Sequence, residues 1–467
     1  MKKITRRSFL KAAAVLGGTA ALTACGGSGS NMGGDTAGGS SDEKAVLRIS
    51  LSLGQWADHV DSLTEAAVKE IPGLEDIEWE LVSSSTYWDL MKGKLASDEL
   101  PDIMAVQPGL TLNQWYEHLV PMDDVEGIDS IPEDFLTSCR LDGKLYLLPF
   151  MQEGYGLLYN MRLLKEAGWE TTPTTFDELR KLCEDLKAAN IQPFVNHYKE
   201  NILTLSNHYG MLPGMLKDDP FGYVNDLSAG KDMDIPNDPD WNAMIDFYDL
   251  SMKYGNADAL TVDKQTGRND FFTEKAAIIT DEGSWELTNI RSINPDMEEY
   301  VQQTYVPLFN DSSRNKMSID LTTAAVTEGS EHPELAKKFL VWLATSESAL
   351  NWLMGEMGVL PVSTNAEVTP ENVGCLSAQT AEMINTGHGA ASLQYYTPEI
   401  VRPQIGEWMS KYLAGEIDHD AAQGLRIQLD DALLTRSPRI LVMDLGGVGF
   451  MDSSGIGLIL GRQRCAR

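Results

Sequence analysis

Positive charge is what this 467-residue chain lacks most. It carries 37 lysines and arginines against 69 aspartates and glutamates, a formal net charge of −32. A surface of that sign repels phosphate backbones, which excludes nucleic acid as a partner. Histidine numbers seven and cysteine five. Beyond Cys25 the cysteines (Cys139, Cys183, Cys375, Cys465) are widely scattered, with no C-x-x-C and no paired histidines beside them. That spacing supports neither a zinc site nor a disulfide framework, so no metal and no cofactor are expected. The aspartates between Asp232 and Asp240 lack the spacing and closing glutamate of a calcium loop and read as a solvated loop. Walker loops, H-E-x-x-H and G-x-S-x-G are missing too, and the expectation is a protein that is not an enzyme. Nor is there an apolar run of the roughly 20 residues that a membrane-spanning helix needs.

What is present begins with an uneven start. Lys2, Lys3, Arg6, Arg7 and Lys11 precede a short apolar run from Ala12 to Ala24, the layout of an export signal rather than of a folded element. Thr5-Arg6-Arg7-Ser8-Phe9-Leu10-Lys11 looks like a twin-arginine signal. Leu22-Thr23-Ala24-Cys25-Gly26 resembles a lipoprotein lipobox, which implies cleavage after Ala24, acylation of Cys25 and a lipid bilayer as partner. Residues 1–24 then form the signal and 25–44 a Gly/Ser-rich tether. Loss of five positive charges deepens the net charge from −32 to −37.

The mature chain has a soluble composition, 43% hydrophobic and 23% charged, and a length that implies two lobes or domains. Val46–Leu53, Ile77–Val82 and Pro101–Val106 read as strands, with helices over Asp61–Glu70 and Tyr87–Ala96. This βαβαβ order predicts a parallel sheet that binds ligand at the carboxyl ends of its strands. Asp142-Gly143 marks a tight hairpin, and Thr175 with Glu178 a helix-opening capping box.

Several segments carry a more specific likeness. Leu100-Pro101-Asp102-Ile103, Asp142 to Phe150, Leu157-Leu158-Tyr159-Asn160, Phe272 to Ile278, Gly283-Ser284-Trp285, His332 to Phe339 and Gly358 to Val362 resemble, in their order, the extracellular solute-binding proteins of carbohydrate importers (family 1). The resemblance spans about 45–414. It implies an α/β, two-lobed, periplasmic-binding-protein-like fold of type II with hinge crossings. Lobe one is expected at about 45–152 and 281–327, lobe two at about 155–278 and 330–414. The implied function is capture of a carbohydrate, an oligosaccharide, by a lipoprotein on the outer face of the cell membrane, for the membrane subunits of an ABC importer.

A sugar receptor needs flat aromatic faces for C–H surfaces and planar polar groups for hydroxyls. Where the family places its cleft stand Trp56, Asp58, Tyr87, Trp115, Glu153, Tyr155, Glu282, Trp285 and Asp320, the expected ligand-binding residues. Trp56, Tyr155 and Trp285 rank ahead, each near a strand end or crossing with a glycine or acid close by. Trp241, Trp342, Trp352 and Trp408 fall inside helical periodicity and read as core.

The last 53 residues change character. No lysine follows Lys411, yet six of the sixteen arginines lie there. After the apolar strand Ile440–Leu445 comes Phe450-Met451-Asp452-Ser453-Ser454-Gly455, which closely resembles the phosphorylation motif of the anti-sigma factor antagonists of the STAS fold. By that resemblance Ser453 is a possible phospho-acceptor and an anti-sigma factor the partner in an alternative reading. Residues 415–467 are expected to be a truncated STAS-like α/β fragment joined in a chimeric fusion.

Overall fold

A computed structural model describes residues 44–200, 212–229, 237–394, 396 and 401–415. The signal, Cys25, the tether up to Glu43, Ser453 and the STAS-like segment from Glu416 lie outside the described residues.

Strand β1 (Ala45–Leu51) buries Leu47, Ile49 and Leu51 and leaves Val46 exposed, the period-2 signature of a covered strand. It pairs in parallel with β2 (Leu74–Leu81) on one side and β3 (Ile103–Ala105) on the other. The helices Val60–Glu70 and Ser84–Ala96 make the crossovers, as the sequence order predicts. A short hairpin, β4 (Arg140–Leu141) and β5 (Lys144–Leu145), turns at Asp142 and Gly143. Their φ angles of 51° and 81° are the left-handed pair that a two-residue turn requires.

Next comes β6 (Leu148–Asn160), thirteen residues long. The remaining strands are β7 (Phe194–Val195), β8 (Ile278–Gly283), β9 (Val301–Thr304), β10 (Met317–Val326), β11 (Leu360–Pro361) and β12 (Gly389–Ala391). All but the hairpin belong to one ten-stranded sheet ordered β2-β1-β3-β10-β6-β8-β7, with β9 and β11 on β6 and β12 on β10.

The sheet serves two separate cores. Leu148, Phe150 and Met151 of β6 pack with β1, β3 and the end of β10 in the first. Six residues further along the same strand, Leu157 and Tyr159 pack in the second with Leu179, Leu182, Trp241, Phe247 and Tyr248. Leu158, on the opposite face of β6, joins a smaller cluster with Phe271, Ile279, Ile290 and Met297. Each such side chain, fully buried, stabilises by about 1.5–3 kcal/mol, so both halves of β6 are firmly held.

Two placements differ from expectation. The helix Pro333–Thr345, expected in lobe two, buries Ala336, Phe339, Leu340 and Leu343 in the first core, and Trp342, Trp352, Val359 and Val362 follow it there. Residues Leu287 to Thr304, expected in lobe one, pack instead on the far end of β6, where β9 pairs with Leu157–Asn160. An apolar stripe states that a helix covers a sheet; it does not state which half.

Local capping follows the sequence closely. Thr175 accepts from the Glu178 amide at 3.3 Å, while the Glu178 carboxylate turns to the amide and hydroxyl of Thr174 at 2.8 and 2.9 Å. The closing helix, Val401–Leu413, seats Ile405 and Met409 in the second core. The Tyr412 hydroxyl donates to the Asp249 carboxylate at 2.9 Å.

Candidate functional site at the hinge floor

Strands β6 and β10 carry the chain between the two cores, and their middles, with the end of β8, form the floor of the cleft. In antiparallel register Glu153 stands opposite Asp320, and Tyr155 opposite Ser318 on one side and Gly283 on the other. The Tyr155 hydroxyl donates to Asp320 Oδ2 at 3.3 Å. Gln394 Nε2 donates to the same oxygen at 2.6 Å and lies 3.4 Å from the Tyr155 hydroxyl.

Beside them the rings of Tyr155 and Trp285 meet at 4.3 Å between centroids, inclined by 56°. The indole rests directly over Gly283. A Cβ there would come within 2.1 Å of the ring and 2.4 Å of the Gly154 carbonyl, so this contact needs glycine. Between the Gly156–Glu282 and Leu158–Ile279 pairs β8 carries one residue more than β6. Asp281, in this bulge, takes a left-handed φ of 59°. Bulges of this kind re-aim the side chains that follow, here Glu282 and Trp285.

Glu282 holds the platform from below. It is wholly buried and accepts from Trp285 Nε1 at 3.2 Å. Arg268 grips it through two nitrogens at 2.9 and 3.1 Å. Lys264 Nζ lies 3.5 Å from it and 5.5 Å from the Trp285 ring centroid. Burial alone would raise the Glu282 carboxyl, but Arg268, Lys264 and His197 together hold it down at about 2. Glu286, also buried and also paired with Arg268, is pushed up to about 8 by burial and by Glu282. Burial draws His197 down to about 4. Glu282 is therefore a fixed negative charge, matched by Arg268 and Lys264.

Glu153 is different. Its Oε2 lies 3.4 Å from the Thr322 hydroxyl, and its buried Oε1 has no hydrogen-bond partner among the described residues. Burial, followed by the neighbouring Asp320, pushes its carboxyl up to about 7.

Five of the nine expected residues are thus brought together: Glu153, Tyr155, Glu282, Trp285 and Asp320. The other four are not. Trp56 is fully buried, edge-on to Trp352 at 4.9 Å and Phe150 at 6.0 Å, and offers no face to a ligand. Tyr87 is equally buried, its hydroxyl donating to the Ser50 carbonyl at 3.1 Å. Trp115 is buried against Trp88 and His118, and Asp58 is exposed on the surface of lobe one. Trp56, Tyr87 and Trp115 lie on helical segments that follow strand ends and pack over the first core.

Sequence reasoning missed Lys264, Arg268 and Gln394, and also an interlobe pocket of about 290 Å³. Asn113, Asp134, Ser138 and Arg140 line it from lobe one, Phe221 and Tyr396 from lobe two. One signal was available: Gln394 and Tyr396 follow a strand, as Trp285 does. But β12 is Gly-Ala-Ala, which no propensity marks as a strand.

Two lobes on a common sheet, with an aromatic and carboxylate floor at the crossings, define a hinged receptor for a small solute. The chain belongs to the family of bacterial extracellular solute-binding proteins, which matches residues 66–374. Residues 3–23 match the twin-arginine translocation signal and 400–465 the STAS domain. A multiple sugar-binding protein of Streptococcus mutans is 23% identical over 224 residues, 45% of this chain and 50% of that one. An anti-sigma F factor antagonist of Paenibacillus polymyxa is 44% identical over 52 residues, 11% of this chain and 44% of its own length. The chain thus spans half or less of each of these two relatives. Among solved structures, a chitin oligosaccharide binding protein superimposes with a TM-score of 0.65 at 20% identity, covering 80% of this chain and 95% of the other, a likeness of fold. The STAS match starts at 400, yet Ile405 and Met409 sit in the second core, so this helix packs as part of the solute-binding fold.

Proposed function

We propose that the protein captures a carbohydrate in the cleft between its lobes and delivers it to the membrane subunits of an ATP-driven importer, without chemistry of its own. The carrying observation is the Tyr155–Trp285 pair over the floor made by Glu153, Asp320 and Gln394. The rings offer an apolar, π-rich face to pyranose C–H groups, and the carboxylate and amide groups around them accept from and donate to hydroxyls. Closure of the lobes then removes the ligand from water, which strengthens those hydrogen bonds. Export through the twin-arginine signal and acylation at Cys25 place the receptor on the outer face of the membrane, at the importer's mouth. The test is a thermal-shift screen of neutral oligosaccharides on the purified chain, since a ligand confined to the native state raises its stability. A rise in Tm with at least one sugar, reduced in Trp285→Ala, is expected. No shift with any sugar refutes the reading.

The STAS match and the Phe450–Gly455 motif favour a second reading, an anti-sigma factor antagonist switched by phosphorylation at Ser453. A phosphate recovered on Ser453 by intact-mass analysis of the chain from cells decides for it.

A further inference from the structure

The interlobe pocket is separate from the Tyr155–Trp285 platform but joined to it through the chain. Gln394 bonds Asp320 on the floor, and Tyr396, two residues on, lines the pocket. Two residues separate their Cα atoms by at most about 7 Å, a length comparable to one sugar unit. The Tyr396 hydroxyl lies within electrostatic reach of Cys139 on the opposite lobe and of Asp320 on the floor. Tyr396 therefore stands between the floor and the opposite lobe.

The pocket's make-up is that of a sugar site on a smaller scale. Phe221, on the helix Pro220–Ser228, is 43% exposed and is the one aromatic ring among the described large hydrophobic side chains left open to water. Tyr396 meets it edge-on at 4.9 Å and 75°, so the Phe221 ring is held at a fixed angle. Across the gap Asn113 and Asp134 are both exposed, and Arg140 is half-exposed and anchored to Asp123 at 3.2 Å. An apolar face on one lobe thus confronts planar hydroxyl-binding groups on the other.

We propose that this pocket is a second ring subsite, which takes the third sugar unit of an oligosaccharide whose inner rings lie on Tyr155 and Trp285, and so makes the receptor select ligands of three or more rings. The proposal rests on the carbohydrate reading above and names the residues that set ligand length. Because its two walls come from different lobes, the subsite is complete only when the lobes approach. A ring bound there favours the closed form, whereas a shorter ligand leaves it unfilled.

The test is calorimetric titration of the full mature chain with two ladders: sucrose, raffinose and stachyose, and N-acetylated chitin oligomers of two, three and four rings. For a series that binds, wild-type affinity should step up at the third ring. Phe221→Ala should lower affinity for the three- and four-ring members about three- to tenfold and leave the two-ring member unchanged. Asn113→Ala, on the facing wall, should show the same dependence on length. Equal loss at every length, no loss at any length, or loss of cooperative thermal unfolding in Phe221→Ala would each overturn the subsite. Absence of binding by wild type to every member of both ladders refutes the carbohydrate reading itself, and the subsite falls with it. Neutral binding without a length step removes only the subsite.

Discussion

The indole of Trp285 donates to the carboxylate of Glu282, three residues before it, and Arg268 grips that carboxylate through two further nitrogens. The stacking face is therefore held by an ion pair whose carboxylate is wholly buried. Trp285→Ala should weaken sugar binding by about 0.5–1.5 kcal/mol and leave the fold intact. Arg268→Met should act more broadly, because it leaves Glu282 buried without its main partner, at a cost of about 3–5 kcal/mol in stability. Urea titrations beside binding isotherms separate the two. Equal stability loss in both variants would make Trp285 a core residue.

Trp56 makes the converse case. It is enclosed by Phe150 and Trp352, so Trp56→Ala should cost about 3–5 kcal/mol of folding free energy. Sugar affinity, measured well below the new midpoint, should stay within twofold of wild type. A selective loss of affinity at unchanged stability would return Trp56 to the cleft.

Glu153 sets a pH dependence. Its carboxyl sits near 7 in the folded chain against an ordinary 4.5. Between those values the unfolded chain has released the proton and the native state has kept it, so stability from this group falls as pH rises through that window. Glu286 acts in the same direction up to about 8, and His197, held near 4, acts in the opposite direction between 4 and 6.5. Relative to wild type, Glu153→Gln should gain about 3 kcal/mol between pH 4 and pH 8. Unfolding midpoints at both pH values measure that difference. A pH-independent offset would show that Glu153 ionises normally.

The anchor is tested in cells. Cys25→Ala should move the exported protein from the membrane pellet to the soluble fraction, because the acyl chains supply the binding. Membrane partition unchanged by the substitution would exclude acylation at Cys25.

For the C-terminal segment the expectation is independence. The described fold closes with the helix Val401–Leu413, whose Ile405 and Met409 already complete the second core. A chain ending at Ala414 should bind sugar as tightly as the full chain and aggregate less, since the apolar run Ile440–Leu445 is gone. Weaker sugar binding after truncation would make the segment a working part of the receptor.

The sequence spoke most clearly where chemistry is local. The β1–β3 crossovers, the Asp142-Gly143 turn and the Thr175 cap were all readable because propensity, period and turn residues agree there. Tyr155 and Trp285 do meet, as the glycines beside them at the strand crossings suggest, but the same signal also marked Trp56. The allocation of Pro333–Thr345 to the first core was not readable, since the same stripe would suit either half. Trp56 misled for a related reason: a strand end marks both a cleft rim and the cover of a core. Gln394 and Tyr396 reach the site from a strand of glycine and alanine, where the sequence carries almost no signal.

Strand β6 has a mechanical consequence. Its first residues are rooted in one core and its last in the other, with no loop between. Neither half can be cut out as an autonomous folding piece, because each would lose an interior strand and expose the sheet edge left behind. The chain should therefore melt as one cooperative unit, with any bending between the lobes taken up by the twist of a continuous ribbon rather than by a slack joint. Such a joint has a stiffness, and Tyr155, in the middle of β6 beside Gly283 of β8, sits at the point where that stiffness is felt.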